Sequence, residues 1–346
     1  MLPQVFFEDT EQIISDKNIP WDKMRGSTVL VTGSTGMIGA ALVRALSAQD
    51  KKLGLDIRIL ASGRDKEKGK ALCETYKAMF LEHDIRAPLL VDGCIDYIFH
   101  CAAVTKSSEM AENPVGVIET SVKGIMNILA LAREKQIKSM VYLSSMEVYG
   151  ITDPALPAIY ESDLGTIDLK SPRSCYPQSK RTCESLCNSY FSQYGIPVKI
   201  ARLAQTFGAG SAIDDPRVFA QFARSGIAGE NIVLHTEGRS RGNYCYISDA
   251  VCGLLLLLLR GEDGEAYNIA NPAANATIRE MAEMVANQVF GGRVSVIVDV
   301  PPDIAKRGYA PDVTMKLNAE KIKNLGWRPR YNLVEMYERM IAGWQD

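Results

Sequence analysis

Short apolar and β-branched runs alternate along this chain with longer stretches whose apolar residues recur every three to four positions. The runs at 28–31, 56–61, 81–85, 95–100, 138–143 and 196–203 read as strands. The periodic stretches at 40–46, 114–134 and 174–190 read as helices between them. Strands alternating with helices at this spacing predict an α/β fold: a doubly wound parallel sheet covered on both faces, with ligands at the carboxyl ends of the strands. Beyond 204 the pattern loosens. Asp214, Asp215 and Pro216 open a helix, 232–235 is a short strand, and Asp249 stands where it would cap a leucine-rich helix through 254–259. A strand at 266–270, a helix from Thr277 to about Gln288 and a strand at 294–300 follow, and the proline-bearing loop 301–311 would close over a ligand. This divides the chain into a main domain, 27–204, regained at 240–262, and a smaller C-terminal α/β substrate lobe, 205–239 and 263–346. In the extension 1–26, Phe6, Phe7, Ile13 and Ile14 among acids predict a short amphipathic helix lying on the domain, with no chemistry assigned to it.

The turn after the first strand carries Gly33, Gly36 and Gly39 at three-residue spacing. Gly33 allows the tight turn, Gly36 lets backbone approach a pyrophosphate, and Gly39 lets the helix pack closely on the strand. The helix N-terminus then offers N–H groups and a positive dipole end to phosphate. The fold expected is therefore of the Rossmann type, with Gly33, Thr35, Gly36, Met37, Ile38 and Gly39 at a dinucleotide. No carboxylate ends the second strand, where NAD folds place one to meet the adenosine ribose. Ser62 and Arg64 stand there instead: Arg64 would pair with a 2′-phosphate, which tilts the choice between NAD and NADP toward NADP, whereas a solvated Arg64 and a Ser62 on a ribose hydroxyl would suit NAD. Asp84 would meet the adenine amino group with Ile85 against the ring. Small Ala102 and Ala103 at the fourth strand's end leave room for the cofactor, and His100 would pack under the sheet.

Tyr176 and Lys180 lie four residues apart, on one face of a helix. A tyrosine with a pKa of about 10 is a poor base at neutral pH, but a neighbouring ammonium and the positive charge of an oxidised nicotinamide favour the phenolate. A shift of ~3 units takes about 4 kcal/mol of differential interaction. Tyr176 would then take a proton from a sugar hydroxyl that Ser145 orients, with Glu147 beside them at the end of the fifth strand. Arg217 is a candidate diphosphate contact, and Arg239 and Arg241 suit bidentate phosphate recognition or else are solvated loop charges.

Composition narrows the classes. Over 346 residues the net charge is −2 and 23% of residues are charged, so nothing drives the chain toward nucleic acid or an anionic membrane. The leucine run is too short to span a bilayer, and no basic-then-apolar leader opens the sequence. Eight cysteines without a CxxC and three histidines predict free thiols, no metal site and a reducing, cytoplasmic setting.

The segments Thr32–Gly39 (TGSTGMIG), 144–150 (SSMEVYG) and 176–180 (YPQSK), in this order and spacing, resemble the extended short-chain dehydrogenase/reductases, the epimerase/dehydratase family acting on nucleotide sugars. The stretches 246–250 and 325–329 are similar to its later signatures, so the resemblance runs from about residue 27 to the C-terminus. Pro172-Arg173-Ser174-Cys175-Tyr176 and Lys180-Arg181 look most like UDP-glucuronate decarboxylases. The resemblance implies catalytic roles for Ser145, Tyr176, Lys180 and Glu147, and a homodimer formed through helices near 114–134 and 174–194. The sequence also departs from the pattern. Met146 replaces the dehydratases' aspartate and cannot protonate a leaving hydroxyl. Gln205 stands at the usual diphosphate asparagine, Ser121 at the usual helix asparagine, and Gly242-Asn243-Tyr244 where an arginine precedes an aromatic.

The expected function is thus a nucleotide-sugar epimerase or decarboxylase that oxidises a sugar hydroxyl transiently through Ser145, Tyr176 and Lys180. The alternative is an NADPH-dependent reductase of a nucleotide-linked keto sugar or polyol. A catalytically idle dinucleotide sensor would have no use for these three residues.

Overall fold

A computed structural model describes residues 2–301 and 312–345 of the chain. The loop expected to close over a ligand lies, past Pro301, outside these described residues. The helices are α1 (Gln4–Ile14), α2 (Met37–Leu53), α3 (Lys66–Tyr76), α4 (Ser107–Glu112), α5 (Pro114–Lys135), α6 (Cys175–Tyr194), α7 (Val218–Ala228), α8 (Ile247–Arg260), α9 (Ile278–Met284), α10 (Glu320–Lys323) and α11 (Leu333–Ala342). The strands are β1 (Thr28–Thr32), β2 (Arg58–Gly63), β3 (Met79–Glu82), β4 (Tyr97–His100), β5 (Ser139–Ser145), β6 (Val198–Leu203), β7 (Gln205–Phe207), β8 (Ile232–Leu234), β9 (Arg241–Tyr246), β10 (Ala266–Ile269), β11 (Asn271–Thr277) and β12 (Val296–Val298).

Seven strands form one parallel sheet in the order β10-β6-β5-β4-β1-β2-β3. The chain leaves β1 on one side toward β2 and β3, then returns to its other side with β4. The sheet's direction of winding therefore reverses between β1 and β4, which is where parallel sheets open a crevice at their carboxyl ends. Every residue of β1, β4 and β6 is buried, as expected of strands covered on both faces. One face packs under α2 and the leucines of α8, the other under α5 and α6. The α5 start is written locally: Pro114 takes the first helical position, and the Asn113 side chain accepts from Gly116 N.

Three expectations are corrected. The sequence places residues 266–270 in the smaller lobe, but β10 pairs with β6 and forms an edge of the main sheet. Conversely β9, expected back in the main domain with 240–262, is the middle strand of the smaller lobe's three-stranded sheet, β11-β9-β7, which stands beside a β12-β8 pair. Asp249 does not cap α8, which no side chain caps. It lies inside the first turn, buried, where its carboxylate accepts from Gln12 Nε2 at 3.0 Å and from the backbone N–H groups of Arg330 at 2.9 Å and Tyr331 at 3.4 Å. Its carbonyl accepts from Trp327 Nε1 at 2.8 Å. A sequence cannot distinguish the two roles, because both put an aspartate in a first helical turn. The Asp249 carboxylate joins the N-terminal helix and the chain's last segment to α8. The α1 helix lies on the domain as expected, and its buried Asp9 accepts from Tyr246 Oη at 2.8 Å and Arg339 Nη2 at 2.7 Å.

Burial raises the Asp249 pKa to about 6, against the backbone donors that favour its charge. Its folded value lies above the unfolded value of about 4, so the folded chain keeps a proton that the unfolded chain loses between those limits. The stability this group contributes is present below pH ~4 and is lost as pH rises through about 6. Asp249→Asn removes that titration. Relative to the parent, the variant should gain about 1–3 kcal/mol of unfolding free energy between pH ~4.5 and ~7.5 in urea titrations. Parallel pH profiles for the two proteins would contradict this account.

Candidate active site

The site forms where β5 ends against the start of α6. Ser145 closes β5, and its Oγ accepts from Glu147 N at 3.2 Å, which starts a single 3-10 turn, Met146–Tyr149. A second 3-10 turn, Pro172–Ser174, feeds α6, so that Tyr176 falls in the helix's first turn and Lys180 in its second. Both side chains are buried. The Lys180 ammonium donates to Leu143 O at 2.6 Å and stands 4.9 Å from the Tyr142 ring centroid and 5.7 Å from that of Tyr176. Burial lowers the Lys180 pKa, while Cys183 and Glu184 oppose that shift.

The protein's own groups do not acidify Tyr176. Burial is the largest influence and raises its pKa; the Glu147 charge adds to that, while Ser145, Arg173 and Arg217 pull the other way. The lowering expected from the sequence therefore needs further positive charge in the site. Glu147 is held by Arg173, with Nη1–Oε2 at 2.8 Å and Nη2–Oε1 at 3.2 Å. Arg181 donates to Val148 O and Gly165 O, each at 2.7 Å, which fixes the 3-10 turn against the following loop.

A cleft of about 1120 Å³ runs from β2 across the ends of β1, β4 and β5 to the smaller lobe. It brings together Gly33, Thr35, Gly36, Met37, Ile38, Gly39, Ser62, Arg64, Asp84, Ile85, Ala102 and Ala103 at one end. Ser145, Glu147, Tyr176, Lys180, Gln205, Arg217 and Arg241 line the rest. A dinucleotide fits the first group. Gly33 has φ +64°, and a Cβ there would come within 2.8 Å of Ala102 backbone. At Gly39 a Cβ would lie 2.3 Å from Gly33 O. No side chain caps α2, so its first-turn N–H groups remain available to phosphate.

Several expected contacts have partners already. Asp84 lies two residues beyond β3 and is held to Arg86 by Nε and Nη2, at 3.1 and 2.6 Å from Oδ2. Its hydrogen bond to the Arg86 side chain is the largest influence bringing its pKa to about 2. Arg217 lies against Asp215, with Nη2–Oδ2 at 2.6 Å, and Arg241 against Glu280 at 2.7 and 2.8 Å. Arg239 is exposed and is not among the described residues that line the cleft. It sits in the β8–β9 connection, just after Gly238, which packs on Arg279 backbone. His100 is buried under the sheet as expected, within 2.8 Å of Thr32 Oγ1 by Nδ1, and burial lowers its pKa to about 3. Thr166, Ile167, Asp168 and Ser171 also line the cleft and carry no motif that would have announced them. Arg173 did carry a signal, its place three residues before Tyr176, but its pairing with Glu147 depends on two turns meeting in space.

The epimerase model, described as the NAD dependent epimerase/dehydratase family, matches residues 29–270. UDP-glucuronic acid decarboxylase 5 of Arabidopsis thaliana is 33% identical over 89% of this chain and 86% of its own length. A crystal structure of UDP-glucose 4-epimerase with UDP-glucose from Thermotoga maritima superposes with a TM-score of 0.76 at 21% identity, covering 92% of this chain and 98% of that one. A dTDP-glucose 4,6-dehydratase from Bacillus anthracis in complex with NAD gives 0.73 at 20% identity, over 92% and 96%. These structures share the fold, and the decarboxylases agree with the resemblance read at Pro172–Tyr176. The chain is an enzyme that belongs to the NAD dependent epimerase/dehydratase family.

Proposed function

We propose that this enzyme removes carbon dioxide from a UDP-linked hexuronic acid, oxidising and re-reducing one sugar hydroxyl in each turnover. The convergence of Tyr176, Lys180, Ser145 and Glu147 on one cleft, where β5 meets α6, carries this reading. Met146 speaks against dehydration, because a thioether cannot protonate a leaving hydroxyl. The relatedness to UDP-glucuronic acid decarboxylases favours decarboxylation over epimerisation.

When bound, NAD supplies the acceptor, and afterwards the donor, of a hydride. Tyr176 Oη takes the proton of the sugar's C4 hydroxyl, which Ser145 Oγ orients, as the hydride leaves C4. The C4 ketone lies β to the carboxylate on C5. The bond from C5 to the carboxyl carbon breaks, carbon dioxide departs, and the bonding electrons enter an enolate. Glu147, a carboxylate at rest, takes up a proton from water and passes it to C5. Reduction of the C4 ketone then restores the hydroxyl, with Tyr176 returning its proton to the oxygen. The net reaction converts a hexuronate and a proton to a pentose and carbon dioxide, with no net change in the dinucleotide. Ser62 and Arg64, both at the dinucleotide end of the cleft, favour a second reading, an NADPH-consuming reductase.

The apolar character of α5 bears on assembly. By length and composition alone this helix could cross a membrane, but one face packs on α6. Its other face exposes Val115 (68%), Ile118 (44%) and Met126 (46%) in a stripe at helical spacing. We propose that a second copy of the chain covers this stripe.

Mass spectrometry of small molecules released from the purified enzyme should show NAD. Incubation with UDP-glucuronic acid should release carbon dioxide and a UDP-pentose with no cofactor added. Stoichiometric consumption of NADPH without carbon dioxide would establish the second reading instead. Tyr176→Phe should reduce turnover by roughly 10²–10⁴-fold while leaving thermal unfolding within a few degrees of the parent, since only a hydroxyl is lost; full activity in that variant would rule out Tyr176 as the base. Ile118→Glu combined with Met126→Glu should convert a dimer to a monomer in light scattering; a parent that is itself monomeric would reject the proposed assembly.

A further inference from the structure

The cleft sets two acids beside each other, and the proposed chemistry needs both without their protons as the sugar is oxidised. Tyr176 must give up its proton, yet Glu147, two residues beyond Ser145, contributes a charge that resists this. We propose that Arg173 is a positioning residue whose guanidinium neutralises Glu147, so that a carboxylate and a phenolate can occupy one site. This inference rests on the reading of Tyr176 as the base.

The geometry supports it in three ways. The guanidinium engages both carboxylate oxygens, at 2.8 and 3.2 Å, a fork that neutralises charge while fixing orientation. Arg173 and Tyr176 leave the same short stretch of chain, the 3-10 turn and the α6 start, so that one backbone segment sets the distances among all three groups. The pair also remains open to the cleft, with side-chain exposures of 42% for Arg173 and 29% for Glu147, so that it can act on a bound substrate.

The charged groups around Tyr176 come from several elements. Glu147 approaches from the β5 end, Lys180 from the next turn of α6, Arg173 from the preceding turn, and Arg217 from the start of α7. Arg217 is already matched by Asp215, and Lys180 is directed at Leu143 O. Arg173 is the cation matched to Glu147. The signs also agree: Glu147 raises the Tyr176 pKa, and Arg173 lowers it. Removing Arg173 would leave an uncompensated carboxylate facing the phenol.

The test titrates Tyr176 by the Cζ resonance of ¹³C-labelled tyrosine in the dinucleotide-loaded enzyme, assigned with Tyr176→Phe. Arg173→Gln should raise the Tyr176 midpoint by at least about one pH unit. Glu147→Gln should lower it, and the double variant should return it to near the parent value. Arg173→Lys, which keeps the charge and loses the fork, should stay within about half a unit of the parent. If Arg173→Gln does not fold, the Glu147→Gln and Arg173→Lys midpoints decide the matter alone. A purely structural Arg173 would change thermal stability or KM and leave the midpoint unmoved; that outcome overturns the proposal while Tyr176 stands as the base. A Tyr176 resonance that never titrates, in any of these proteins, overturns both.

Discussion

A lysine ammonium with almost no access to water sets the terms for the whole centre of the molecule. Lys180 is 3% exposed, and an unmatched charge at such a depth costs several kcal/mol. The protein offsets this with a carbonyl at the end of β5, an aromatic face and a nearby carboxylate. Leu143 O accepts at 2.6 Å, Tyr142 lies beneath the ammonium, and Glu184 raises the Lys180 pKa. Each of these solvating groups belongs to a structural element, so the ammonium locates α6 relative to β5. The effect extends further inward. Tyr142 stacks on His100 at 5.9 Å, and His100 stays neutral because burial, and then Lys180, disfavour its charge. A neutral His100 meets Thr32 Oγ1, so β1, β4 and β5 are joined by side chains beneath the crevice as well as by backbone above it.

A second buried charge pair stands behind the first. Glu184, one helical turn after Lys180, accepts from Ser144 Oγ at 2.5 Å and pairs with Arg202 on β6 at 2.7 Å. Arg202 continues to Tyr149 Oη at 3.2 Å, and Tyr149 donates to Asn268 Oδ1 on β10 at 2.6 Å. Buried ion pairs contribute little net stability, because desolvation offsets their attraction, but they are costly to break singly. Here the pair's role is geometric. It holds Ser144, and so the strand end carrying Ser145, against the helix that carries Tyr176. The network also reaches β10 beside β6, where the Asn268 side chain accepts from Tyr149 Oη and donates to Asn318 O.

The division between what could be read and what could not follows the range of each interaction. The sheet, the glycine turn and the Tyr176–Lys180 face depend on periods of two to seven residues, which a sequence displays directly. Nineteen of the residues named for the site line one cleft because strand ends in a parallel sheet bring such positions together. Most misses were pairings between distant segments; Arg217 with Asp215 and Asp84 with Arg86 are local pairs that no motif marks. Asp249 has the residue type of a cap, and only its contacts with Gln12 and Arg330 reveal its actual role. The strand at 266–270 has no local mark saying which sheet it joins. Arg217 and Arg241 carry the charge that suits a diphosphate, but local composition does not announce that Asp215 and Glu280 meet them.

The energetics of Tyr176 explain why the site gathers so many cations. Bringing a free phenol from a pKa of about 10 to neutrality takes about 4 kcal/mol. Burial here moves the group in the opposite direction, so the requirement is larger. One cation at about 4 Å supplies roughly 4 kcal/mol at the effective dielectric of a protein surface, and a misaligned or more distant one supplies less. A single lysine whose ammonium is directed at Leu143 O is therefore insufficient. The remainder must come from the charge of an oxidised nicotinamide and from removing the penalty that Glu147 imposes. Linkage makes the first of these reciprocal: whatever stabilises the phenolate beside that charge also tightens binding of the oxidised dinucleotide by the same free energy. On the proposed chemistry, Tyr176 would ionise only beside a charged dinucleotide, and burial would keep it protonated until then.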